Sequence, residues 1–114
     1  MKTTNYEIKS RIWITGSNGT FLGVGRIALL KEVEKTGSIS EAARKLEMSY
    51  KKAWESINAM NIEASSPLVL TSSGGRGGGG TDLTPTGKKM ILEFENLVAE
   101  VDNFIKEKQT HIEF

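Results

Sequence analysis

Three side chains within one helical turn, Ser49, Lys51 and Lys52, carry the first chemical signal in this chain. A hydroxyl and two ammonium groups so spaced are donors suited to phosphate oxygens and base edges. The second signal is the stretch from Ser72 to Gly80, where six of nine residues are glycine and Arg76 stands among them. Backbone without Cβ atoms can approach an anionic polymer closely, while Arg76 enters a minor groove or pairs with a phosphate. A phosphate-binding P-loop would need lysine directly after the glycines, and none is there. A flexible linker is the plainer alternative, but the stretch lies between two short strand-like segments, which favours a wing.

Other constellations carry less. Gly23-Val24-Gly25-Arg26 imitates a dinucleotide fingerprint, yet the acidic residue about twenty positions on would be Glu41 or Glu47, and no second βαβ unit follows. Those glycines are read as shaping the entry to a helix. Asn18-Gly19-Thr20 matches a glycosylation sequon that a cytoplasmic chain would not use. The chain has no cysteine, which excludes disulfides, thiolate metal sites and cysteine nucleophiles. His111 is the only histidine and falls in a tail without a second ligand group nearby. With no nucleophile–base pair or metal cluster in view, neither an enzyme nor a bound cofactor or metal is expected.

The 114 residues suit one domain, and 38% hydrophobic with 25% charged residues is an ordinary globular balance. Residues 1–10 lack the apolar core of a signal peptide and no run could span a bilayer, so a cytoplasmic protein without membrane contact is expected. The net charge of +1 hides an uneven distribution. Residues 1–90 hold 13 cationic and 8 acidic side chains, whereas residues 91–114 hold 2 and 6. A basic body with an acidic end fits one part turned toward DNA and another turned away, although a chance fluctuation gives the same pattern.

The elements that must position these groups follow from periodicity and caps. Tyr6 to Thr15 alternates, and Gly16-Ser17-Asn18-Gly19 is a turn, with Thr20 to Leu22 returning as a second strand. Val24 to Thr36 has helical spacing and stops at Gly37. Ser38 and Glu41 stand in capping-box spacing before Ala42, Ala43 and Leu46. Ser49 can cap a third helix running to about Glu63. Pro67 to Thr71 and Thr81 to Thr84 read as strands, and Thr84-Pro85 opens a last helix reaching about Lys108. The predicted fold is mostly α with a little β: an N-terminal hairpin (1–22), a three-helix core (24–64), a wing (67–84) and a long C-terminal helix (85–109), together a single winged helix-turn-helix domain.

In such a unit two helices cross steeply around a tight turn so that the second can lie in the major groove. Ala42 and Ala43 permit close approach, Leu46 and Met48 fill the angle, and Trp54 and Ile57 are expected to anchor the third helix on the core. That leaves Lys51, Lys52, Glu55, Ser56 and Ala59 outward. Tyr50 has two readings, partly structural and partly a phosphate contact through its hydroxyl. Pattern alone equally allows a plain helical domain.

Gly37-Ser38-Ile39-Ser40-Glu41-Ala42-Ala43, with Met48-Ser49-Tyr50-Lys51-Lys52-Ala53-Trp54, resembles the helix-turn-helix of molybdate-dependent (ModE-type) regulators. The likeness continues through Ile57 to Asn61, the glycine wing and Leu83-Thr84-Pro85-Thr86-Gly87, covering roughly residues 20 to 105. LysR-type winged domains share the architecture. The resemblance implies a homodimeric, operator-binding transcription regulator. By resemblance Ser49, Tyr50 and Lys51 belong to the DNA-reading end of the recognition helix, and Ser38, Ser40, Lys52, Ser56 and Arg76 are the further DNA contacts expected. Full-length ModE-type members also carry molybdate-binding domains, which this chain stops before, so no molybdate-sensing domain is expected in it. A protein-interaction module built on the same fold is the alternative function, distinguished by weak salt dependence.

The last helix offers a partner site. Ile91, Phe94, Val98, Val101 and Ile105 keep a 3–4 spacing, with Glu93, Glu95, Glu100 and Glu107 on the other face. One reading closes the chain's own core. The other, which we expect, is a two-fold dimer interface that sets two recognition helices about one DNA turn apart.

Overall fold

The computed structural model of the chain describes residues 6–72 and 80–113, and its elements run β1 (Trp13–Gly16), β2 (Gly19–Gly23), α1 (Val24–Thr36), α2 (Ile39–Lys45), α3 (Tyr50–Glu63), β3 (Val69–Thr71), β4 (Thr81–Leu83) and α4 (Pro85–His111). This is the winged helix-turn-helix order expected from sequence. The strands form two separate antiparallel pairs, β1 with β2 and β3 with β4.

Local chemistry sets most helix ends. Gly37 ends α1 with φ 67°, in the left-handed region that favours glycine, and its N–H bonds the Val33 carbonyl. Ser38 caps α2, its Oγ accepting from Glu41 N at 3.1 Å. The reciprocal half of the expected capping box is absent. The Ser38 N–H goes to Thr36 Oγ1 at 3.3 Å, and the Glu41 carboxylate pairs with Arg44 at 2.7 Å. Ser49 Oγ accepts from Lys52 N at 3.1 Å and opens α3. Thr84 Oγ1 accepts from Gly87 N at 2.9 Å, with Pro85 in the first turn of α4.

The sequence overextends two strands. β1 begins at Trp13, not Tyr6, because β2 ends at Gly23, opposite Trp13, and the chain then turns into α1. Among the described residues, those before Trp13 have no facing strand. Gln109 near the end of α4 serves them instead: its Oε1 accepts from Ile8 N and its Nε2 donates to the Tyr6 carbonyl, both at 2.7 Å. β3 begins at Val69 rather than Pro67, since proline has no N–H and the Leu68 N–H is taken by Asn61 Oδ1 at 2.8 Å.

One core joins β2, α1, α2, α3, the wing and the first half of α4. Leu22, Leu29, Leu30, Val33, Met60 and Leu68 are its largest fully buried side chains. Ala42, Ala43 and Ala53 are buried where α2 and α3 pack, so small side chains let those helices approach. α4 has 27 residues and spans about 40 Å at 1.5 Å per residue. That exceeds the 29 Å and 23 Å of the molecule's shorter axes, so part of α4 projects beyond the core.

Candidate nucleic-acid interface

α3 turns Ala53, Ile57 and Met60 inward and leaves Lys51, Glu55, Asn58 and Ile62 exposed on the opposite side. Ser49, Lys51 and Lys52 stand exposed at its N-terminal end, where the free N–H groups add partial positive charge. Lys51 Nζ lies 3.9 Å from Glu55 Oε1, a weak surface pair. Lys52 makes no ion pair among the described residues.

The expected site residues divide into two groups around this face. Ser38, Ser40 and Tyr50 meet Thr71, Ser72 and Gly80 around a polar groove of about 260 Å³ between the start of α2, the start of α3 and the wing base. Ser38 Oγ lies 3.0 Å from Ser40 Oγ, and Tyr50 is exposed, not half in the core. Lys52 and Ser56 line the other flank with Arg26, Leu29, Leu46 and Met48. Ser56 and Ala59, expected outward, are half-buried because that flank of α3 leans toward α1 and the α2–α3 turn. Arg76 and the glycine tip at 73–79 lie outside the described residues.

Trp54 corrects the sequence reading most. It is 47% exposed and does not anchor the core. It follows Ala53, the centre of a narrow buried stripe, and one residue turns a helix by about 100°. The indole therefore overlooks the gap between α3 and the wing, beside Asn58, Asn61, Pro67 and Leu70.

Asn61 is the structural residue that sequence reasoning passed over. Its Nδ2 donates to the Val69 carbonyl at 2.9 Å, and its Oδ1 accepts from Leu68 N at 2.8 Å and Val69 N at 3.2 Å. A helix side chain thus stands in for a neighbouring strand and ties the wing to α3. A single amide four residues after Ile57 gives no sign of this in the sequence. The other wing strand is held to the α1–α2 turn, where Thr81 N bonds the Gly37 carbonyl at 3.0 Å. At the far end of α3, the Glu63 carboxylate accepts from Ser17 N, Asn18 N and Asn18 Nδ2 and docks the tip of the N-terminal hairpin.

One ion pair on α2 shifts both of its partners. The Arg44 guanidinium hydrogen-bonds Glu41 and holds its carboxyl below the ordinary value, while Arg44 is raised in turn. Among the described residues no group of three His, Cys, Asp or Glu side chains could hold a metal, and no helix is long and apolar enough to cross a membrane.

α4 requires a further correction. Ile91 and Phe94, expected at a dimer interface, are buried in the chain's own core at 8% and 3% exposure. The first half of α4 packs along α1 with the ion pairs Lys31–Glu95 at 2.7 Å and Lys88–Glu34 at 3.9 Å, which leaves those two side chains facing inward. Val98, Val101 and Ile105 are only half-buried, and Leu97 and Phe104 are exposed beside them.

Comparison with known proteins bears on the family and the fold. The model of the lysR family of bacterial regulatory helix-turn-helix proteins matches residues 25–88. Molybdenum-pterin-binding protein MopB of Rhodobacter capsulatus is 45% identical over 83 residues, 73% of this chain and 31% of that protein. The molybdenum transport protein ModE of Azotobacter vinelandii is 45% identical over 82 residues, 72% and 30% of the two chains. The DNA-binding transcriptional dual regulator ModE of Escherichia coli K12 is 43% identical over 76 residues, 67% and 29%. The chain spans about a third of the length of the curated relatives it matches. In fold it is similar to a LysR family transcriptional regulator, with TM-score 0.53 and 22% identity over 71% of this chain and 26% of that one. It is also similar to BenM_DBD in a complex with catB site 1 DNA, with TM-score 0.54 and 19% identity over 78% and 93%.

Proposed function

Because the chain belongs to the lysR family of bacterial regulatory helix-turn-helix proteins, we propose that it binds double-stranded DNA sequence-specifically as a cytoplasmic transcription regulator. The observation that carries this reading is the exposed face of α3, with Lys51 and Lys52 in its first turn beside the polar groove at the wing base. In the proposed complex α3 enters the major groove, and Ser40, Ser49 and Tyr50 donate to phosphates or base edges. The glycine wing with Arg76 lies along the backbone or in the minor groove.

The active form is proposed to be a homodimer joined through the distal part of α4. Val98, Val101 and Ile105, with the exposed Leu97 and Phe104, form apolar surface that one chain leaves partly open to water. A two-fold axis there would set the two α3 helices about 34–36 Å apart, one turn of DNA.

The test is binding of labelled duplexes from the region upstream of the chain's own gene, together with a randomised pool, across a salt series. Wild type, Lys52→Ala and Arg76→Ala are compared. Tight binding that falls steeply with salt, and that either substitution weakens, supports the reading. Affinity no better than about 10⁻⁴–10⁻⁶ M for every duplex would overturn it in favour of a protein partner.

A further inference from the structure

We infer that Trp54 is a specificity-determining residue that reads thymine methyl groups at the wing-side edge of the recognition helix; this rests on the DNA-binding function proposed above. The indole is 47% exposed on the second turn of α3, at the rim of the gap toward Pro67 and Leu70. Leu70, 55% exposed on β3, flanks the same shallow gap, so two large apolar groups face outward together between the two DNA-facing elements.

Charge distinguishes base edges from backbone as what this surface meets. From Ala53 to Glu63, α3 carries no lysine or arginine. Asp82 pairs with Leu70 across the wing strands and shares its face, which places a carboxylate where a phosphate would be repelled. The cations lie a turn earlier, at Lys51 and Lys52. Phosphates thus belong to the first turn, and the surface beyond it carries apolar groups, amides and the carboxylates of Glu55 and Asp82. In the major groove the apolar feature of a base pair is the thymine C5 methyl, and Trp54 presents the matching surface. Asn58, exposed one turn along, can pair with the adenine N6 and N7 edge next to it.

The experiment starts from the duplex that the wild-type chain selects from a randomised pool. Each thymine is replaced in turn by deoxyuridine, which removes the methyl and nothing else. Affinities are measured for wild type, Trp54→Phe and Trp54→Ala at one salt concentration, with thermal melting to verify the fold. Wild type is expected to lose about fourfold at one or two thymines per half-site, the worth of one buried methyl-sized group. Trp54→Ala is expected to bind more weakly and to be indifferent to those methyls, with Trp54→Phe between the two. Wild-type indifference to every methyl, or undiminished sensitivity in Trp54→Ala, would overturn the assignment while leaving DNA binding intact. Uniform weakening of Trp54→Ala on all duplexes with methyl sensitivity retained would place the indole on the sugar-phosphate backbone and overturn it equally. Failure to select any sequence would bring down the DNA-binding function itself, and this assignment with it.

Discussion

Asn61 and Val69 are joined in both directions, the Asn61 amide donating to the Val69 carbonyl at 2.9 Å and its oxygen accepting from the Val69 N–H at 3.2 Å. A third bond, from Leu68 N at 2.8 Å, makes this one side chain the link between α3 and the wing. Leu68 and Val69 are buried, so water cannot replace the amide freely. Asn61→Ala is expected to cost about 1–3 kcal/mol, the penalty of unpaired buried backbone groups. Urea titration measures the loss. DNA affinity should fall as well, because the wing base is no longer held to the recognition helix.

Gly87 is required by close approach. A Cβ there would press on the Leu68 carbonyl oxygen and stand 2.6 Å from Leu83 Cδ1. Replacing glycine in a helix ordinarily stabilises by roughly 0.5–1 kcal/mol. Overpacking costs about 1–3 kcal/mol and outweighs it. Gly87→Ala is therefore expected to melt at a lower temperature than wild type, contrary to helix propensity.

Removing Lys52 tests the phosphate-binding end of α3. The side chain is exposed and without an ion pair among the described residues, so stability should change by less than about 0.5 kcal/mol. The slope of log affinity against log salt should shrink by about 1, with weakening shared evenly across sequences. An unchanged slope would remove Lys52 from the interface.

The two halves of α4 should respond differently. Val101→Asp places charge on the half-buried distal stripe and is expected to give a folded monomer in sedimentation, with weaker binding to a two-half-site duplex. Phe94→Ala empties the chain's own core and is expected to cost about 3–5 kcal/mol in denaturation. Equal effects of the two on stability would contradict this division.

The Glu41 carboxylate is lowered from its ordinary value of 4.5, first by its hydrogen bond to Arg44 and then by that charge. A lowered carboxyl stabilises the fold above its ordinary pKa, and that contribution is lost as pH falls through the folded-state value. Glu41→Gln should thus be slightly less stable than wild type near neutral pH, and the difference should vanish in acid. The pair lies on the surface and is screened by water, so the effect is small. Chemical denaturation at a series of pH values checks the sign.

What the sequence determined by itself was local. Ser49 and Thr84 announce helix starts because a hydroxyl in the chain satisfies an N–H three residues on, and Gly37 announces an end because glycine enters the left-handed region cheaply. These bonds close within one turn, so the order of elements and the first-turn cations of α3 were legible without the fold. The tertiary structure decided which neighbour each remaining side chain met. Trp54 fits a helical stripe as well as Ile57 does, yet a difference of a few tens of degrees turns it from the core to the gap beside the wing. Ile91 and Val101 share one periodic pattern, but α1 covers only the first half of α4. Asn61 acquired its role from wing residues seven and eight positions away, and β1 lost its early residues because β2 was too short to face them. Periodicity specifies a direction around an axis, whereas burial depends on what another element places in that direction.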